Sequence, residues 1–99
     1  MSDTALAIAG EFSIYRAAEL AQSLQEWLPR ACAAGAAPLD LSGVTDMDSA
    51  GLQLLLATQR SAQLLGQPLY LSAASTAVQD TLALAGLRHL LPAAAPFQA

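Results

Sequence analysis

The run Asp46-Met47-Asp48-Ser49-Ala50-Gly51 gathers most of the chemistry this sequence can offer. Two carboxylates bracket the approach to a hydroxyl, and a glycine follows it two positions later. Such a run can start a helix, with Asp48 or Ser49 accepting hydrogen bonds from the unpaired amides of its first turn. Read as a nucleophile, Ser49 would need a base, and His89 is the only histidine. Met47, however, stands where a nucleophile elbow carries its first glycine. His89 is flanked by Leu87, Leu90 and Leu91, a packing context. The chain has no lysine, no glycine-rich phosphate loop and no cysteine–histidine cluster that could hold zinc. No metal or cofactor is expected, and no catalysis.

The elements around the run place it. Leu6 and Ile8, then Phe12 and Ile14, alternate on either side of Gly10-Glu11, which predicts a hairpin of two antiparallel strands. Leu20, Leu24, Trp27, Leu28 and Ala31 recur at helical spacing and predict an amphipathic helix over 16–34 that stops at Gly35. Pro29, inside it, predicts a kink or break near Leu28. Pro38 to Ser42 reads as a third strand, with Leu39 and Leu41 on one face. A leucine-rich helix follows from about Ser49 to Leu65, closed by Gly66 and Pro68. Leu69 to Leu71 gives a fourth strand. A third helix starts at Thr76, which forms a capping-box pair with Gln79, and ends at Gly86.

These elements predict a two-layer α/β fold, a mixed sheet of about four strands with helices mainly on one face. The run from Asp46 to Gly51 then lies between a strand's carboxyl end and a helix's amino end, where open α/β sheets place their sites. Gly51 in a first helical turn costs on the order of 1 kcal/mol relative to alanine, so close approach by a backbone is expected to compensate.

Length and charge narrow the function. A chain of 99 residues supports one domain, expected over 2–92 with a tail at 93–99. The net charge is −4, and the basic residues Arg16, Arg30, Arg60 and Arg88 are scattered. No stripe exists to neutralise a phosphate backbone, so nucleic acid is not an expected partner, and an anionic membrane is not either. The runs of large apolar residues, such as Leu54-Leu55-Leu56, are too short to span a bilayer. Cys32 is single and no basic-then-apolar leader is visible, which predicts a cytoplasmic protein.

The strings Leu39-Asp40-Leu41-Ser42-Gly43-Val44-Thr45 and Asp48-Ser49-Ala50-Gly51-Leu52 resemble the signature of STAS domains. That family includes anti-sigma factor antagonists and the cytoplasmic domains of sulfate transporters. The resemblance extends over nearly the whole chain. The string from Asp48 to Leu56 is also similar to short stand-alone versions encoded with bacterial chemotaxis proteins. The resemblance implies a partner-switching protein, for which a monomer is the default, with Ser49 as phosphoacceptor and Asp48 as the neighbouring aspartate. It implies that Asp46, Asp48, Ser49, Ala50, Gly51 and Gln53 form the edge that meets a protein partner. That partner would be an anti-sigma factor with serine kinase activity or a chemotaxis-type signalling protein. Two departures stand out: Ala50 replaces a frequent second serine, and Asp46 stands where many relatives are apolar. Other STAS proteins attach to the ATPase subunit of an ABC-type lipid transporter, and this edge would serve that role without phosphate. Nucleotide binding, proposed for parts of the family, has nothing in its favour here.

Overall fold

Leu39, Leu41 and Val44 share the buried side of a strand longer than the sequence predicts, and this strand organises the fold. A computed structural model describes residues 5–91. In chain order these form strand β1 (Leu6–Phe12), helix α1 (Ala17–Ala33), strand β2 (Ala37–Met47), helix α2 (Ser49–Leu64), strand β3 (Leu69–Ala74) and helix α3 (Thr76–Leu84). Short 3-10 turns occupy Ile14–Arg16 and Arg88–Leu90. The tail expected at 93–99 lies outside the described residues.

The sheet corrects the expectation. Among the described residues it has three strands in the order β1-β2-β3, and both neighbours run parallel to β2. No antiparallel hairpin forms at Gly10, and the sheet is parallel rather than mixed. Gly10, at a φ of 82°, is a kink inside β1, where the register against β2 slips between Gly10 and Glu11. Alternation on both sides of a glycine fits a bulged strand as well as a hairpin. The bulged strand wins because it buries both Ile8 and Phe12 under α1 and α2. Ile14, expected to continue the alternation, has already left the sheet for the turn.

Parallel neighbours require crossovers, and α1 and α2 supply them. The two helices pack on each other and on the sheet. Leu20, Leu24, Trp27 and Leu28 of α1 and Leu55 and Ala62 of α2 join Leu39, Leu41, Leu69 and Leu71 in one core. On the strands, Ala7, Ala9, Ser42, Tyr70 and Ser72 alternate outward and are exposed. β3 pairs with β2 only as far as Leu41. Beyond it α3 flanks β2, with the Ser75 N–H donating to the Leu41 carbonyl at 3.1 Å.

Helix ends follow local chemistry. Gly35, Gly66 and Gly86 each take positive φ. In all three the next amide reaches back into the last turn, Ala36 to Ala31, Gln67 to Ala62 and Leu87 to Leu82, the Schellman closure. The α3 cap is Ser75 rather than Thr76: its hydroxyl accepts the Val78 N–H at 3.3 Å, while the Gln79 amide donates to the Ala74 carbonyl. Helix α1 runs through Pro29 without a break. Pro29 lies on the exposed side, where water can meet the carbonyl that loses its amide partner. The outer edge of β1 is covered by Arg16, whose Nη1 donates to the carbonyls of Ala9 at 2.6 Å and Glu11 at 2.9 Å. That occupies acceptors an edge strand would otherwise offer to another chain.

Leu55 is 1% exposed at the meeting of α2 and the sheet. Leu55→Ala is expected to lower stability by about 2–5 kcal/mol, read as a shift of the urea midpoint with unchanged slope.

Candidate functional site

The carboxyl end of β2 turns into α2 at Asp48, whose extended backbone (φ −110°, ψ −174°) makes it the N-cap. One carboxylate oxygen accepts the Gly51 N–H at 2.9 Å, and the other accepts the Ile14 N–H at 3.0 Å, 34 residues earlier. A single side chain therefore caps α2 and fastens the β1–α1 turn to it. The Asp48 amide also donates to the Phe12 carbonyl at 3.4 Å. The Gly51 amide, and after it that of Ile14, favour the charged carboxylate and hold Asp48 below the usual carboxylate range.

Gly51 answers the question raised by its helix cost. It is buried, and a Cβ there would collide with the carbonyl oxygen of Phe12 and sit 2.9 Å from its carbon. The close approach is made by the protein's own β1. Gly51 thus positions the edge from beneath rather than lining it.

With Asp48 as the cap, Ser49 is released from that duty and stands exposed at the first helical position. Gln53 and Asp46 are exposed, and Ala50 and Asp48 are half-buried. Asp46 faces Glu11 across the β1–β2 register, so two carboxylates sit on neighbouring strands. The Thr45 hydroxyl donates to Asp46 at 3.2 Å, and that of Ser13 to Glu11 at 3.1 Å. The structure thus brings Asp46, Asp48, Ser49, Ala50 and Gln53 to one edge and puts Gly51 under it.

Two residues of this edge are missed by the sequence reading, which assigns Ile14 to a strand and gives Tyr15 no role. Ile14 is 60% and Tyr15 87% exposed, on the turn that Asp48 holds. The available signal was Ser13, a cap-type residue right after Phe12; its hydroxyl accepts the Tyr15 N–H at 3.3 Å and starts the turn.

The other reactive side chains lie elsewhere. His89 lines a cleft of about 380 Å³ with Leu55, Gln59 and Tyr70, which does not include Ser49. Cys32 faces the Gln67 carbonyl at 3.6 Å. An apolar groove of about 270 Å³ runs between α1 and α2, past Leu24, Leu28, Leu54 and Leu65. Among the described residues no group of three or more acidic, histidine or cysteine side chains could hold a metal ion. Nor is any helix of the described residues long and apolar enough to cross a membrane.

The family model described as "Mlab, STAS domain" matches residues 1–92. The chain belongs to the STAS family. A solved structure of a Thermotoga maritima protein, provisionally assigned as an anti-sigma factor antagonist, superposes on this STAS domain with a TM-score of 0.70. The two chains are 18% identical, and the match covers 92% of this chain and 79% of the other. At that identity the likeness speaks for the fold. No curated protein matches the chain.

Two outcomes are expected for this STAS domain. An alanine at an ordinary exposed glycine in a helix gains about 1 kcal/mol. Gly51→Ala should instead lose about 1–3 kcal/mol, because its methyl meets a backbone carbonyl that cannot step aside; chemical denaturation reads the sign directly. Asp48 gives up its proton more readily folded than unfolded. Its contribution is therefore complete above the unfolded carboxylate value of about 3.9 and is lost as pH falls through the lower folded value. Asp48→Asn should flatten the fall of Tm between roughly pH 5 and pH 2 relative to wild type.

Proposed function

We propose that this STAS domain is a non-enzymatic protein-binding switch of the anti-sigma factor antagonist type, acting as a cytoplasmic monomer and controlled by phosphorylation of Ser49. The observation that carries the reading is the exposed position of Ser49 at the start of α2, with the capping role taken by Asp48. A hydroxyl needed for the cap could not be modified without loosening the helix. This one can.

Electrostatics favours a switch that leaves the fold alone. A phosphate adds about −1.5 to −2 charges and three acceptor oxygens. The amides and dipole at the start of α2 welcome an anion, while the neighbouring Asp46 and Asp48 oppose it. At about 6 Å with surface-like screening that opposition is on the order of 1 kcal/mol or somewhat more, too little to unfold a domain. A partner seated on Ser49, Ala50 and Gln53 is affected far more, because it would bury a dianion without a matching charge. Its chemistry is that of an anti-sigma factor with serine kinase activity or a chemotaxis-type signalling protein.

A second reading keeps the surface and drops the phosphate. Ile14 and Tyr15 offer apolar contact that needs no modification, which suits a regulatory subunit seated on the ATPase of an ABC-type lipid transporter. Intact mass after incubation with ATP and the serine kinase encoded nearest the gene separates the two. The switch reading expects one added phosphate, absent in Ser49→Ala, and at least tenfold weaker partner binding by Ser49→Asp. No phosphate, together with a stable ATPase complex indifferent to Ser49→Asp, would count for the second reading and against the first.

A further inference from the structure

We infer that Ile14 and Tyr15 are the apolar anchors of the docking edge, and that their occupant is a cationic, amphipathic helix of a partner protein. The inference rests on that edge being the docking surface, and it does not need Ser49 to be phosphorylated.

The anchors are exposed without being slack. Ile14 donates its N–H to Asp48 at 3.0 Å, Tyr15 donates its own to the Ser13 hydroxyl at 3.3 Å, and the Arg16 N–H reaches the Ser13 carbonyl at 3.0 Å. The Arg16 side chain is itself pinned to two carbonyls of β1. Every residue of the turn is tied down, yet its two large apolar side chains point into water. Holding apolar groups out on an ordered backbone lowers the entropy lost when a partner covers them. Tyrosine is also among the side chains that most often dominate interface energetics.

Charge selects the occupant. Glu11 and Asp46 are register partners on adjacent strands, and both are exposed. Like charges placed so are unfavourable for the free sheet, and a cation above them relieves the repulsion. Asp48 lies beside them. Helix α3 borders the same end, where the Thr81 hydroxyl donates to the Met47 carbonyl at 3.5 Å. Among the described residues Arg16 is the basic side chain bonded at this end, committed to the Ala9 and Glu11 carbonyls and the Glu19 carboxylate, while Arg88 lies in the 3-10 turn after α3. Arg30 sits in the last turn of α1, at its far end. Arg60 is eleven residues along α2 from Ser49, about 16 Å at 1.5 Å per residue. An anionic partner is therefore repelled at this edge, and one that sets apolar side chains against Tyr15 with arginine or lysine over Glu11 and Asp46 is complementary. A phosphate on Ser49 would act on such a partner through its bulk and the cost of desolvating a dianion, against the attraction of the partner's cations.

Titrating the isotope-labelled full chain with two synthetic helical peptides of equal length tests this, one patterned with leucine and arginine, the other with leucine and glutamate. The inference expects saturable amide shifts centred on Glu11, Ile14, Tyr15, Asp46 and Ser49 with the arginine peptide alone. It also expects at least a tenfold loss of affinity in Tyr15→Ala and in the Glu11→Gln, Asp46→Asn double variant, each verified as folded by its amide spectrum, and weakening in high salt. Absence of binding, equal binding of both peptides, or shifts centred on the α1–α2 groove would each overturn it. Arginine-peptide binding by a chain that accepts no phosphate would sink the switch and keep this surface; a phosphorylated Ser49 on a chain that ignores the peptide would do the reverse.

Discussion

The carboxylate of Asp48 accepts amides from two connections that are far apart in sequence, Gly51 at the start of α2 and Ile14 after β1. Much of the local architecture follows from this. The bond to Gly51 starts the helix. The bond to Ile14 brings the β1–α1 turn to the same place, so the side chains of Ile14 and Tyr15 stand beside Ser49 rather than elsewhere along the sheet edge. Gly51 makes the arrangement possible, since only a residue without a Cβ lets α2 approach the Phe12 carbonyl so closely. Three parallel strands bring the ends of β1 and β2 together, and Asp48 binds those ends into one surface.

The same interaction divides labour between neighbours. Asp48 does the structural work of the cap, and Ser49 is left with its hydroxyl in solvent. A stable fold and a modifiable surface are compatible here because they rest on different side chains. Acidic residues enrich the same edge, and the helix amide ends partly offset them. On the proposed reading, a charge added at Ser49 would be tolerable to the domain and costly to a partner covering it, so the switch would work by occlusion rather than by unfolding.

Helices and their ends were the most legible part of the sequence. The period of Leu20, Leu24, Trp27 and Leu28 located α1, and glycines at 35, 66 and 86 marked all three C-termini because a positive φ has few other occupants. The position of Ser49 at a strand-to-helix junction was legible from cap-type residues ahead of a leucine-rich helix, and the demand of Gly51 for a close neighbour from the cost of glycine in a helix. Strand pairing was not. Gly10 can turn a chain or bulge it, and the choice is made by contacts with β2, where its partner Val44 lies more than thirty residues on. That misreading carried a consequence for the site: with Ile14 placed in a strand, its side chain belonged to a sheet face, and the turn that displays it with Tyr15 went unseen. The partners of Asp48 were hidden similarly, since no local pattern announces a bond across 34 residues. Caps one residue off, as at Ser75 and Thr76, reflect two hydroxyls side by side with equal intrinsic claim.

The central claim is that negative charge on Ser49 alters one edge of a fold that otherwise stays as it is. Amide spectra of the protein carrying phosphate on Ser49, compared with the unmodified form, test it most directly. The account predicts shifts confined to residues near the start of α2 and the turn after β1, with undiminished exchange protection for Leu39, Leu41 and Leu55. Shifts spreading through the sheet, or lost protection in that core, would contradict it.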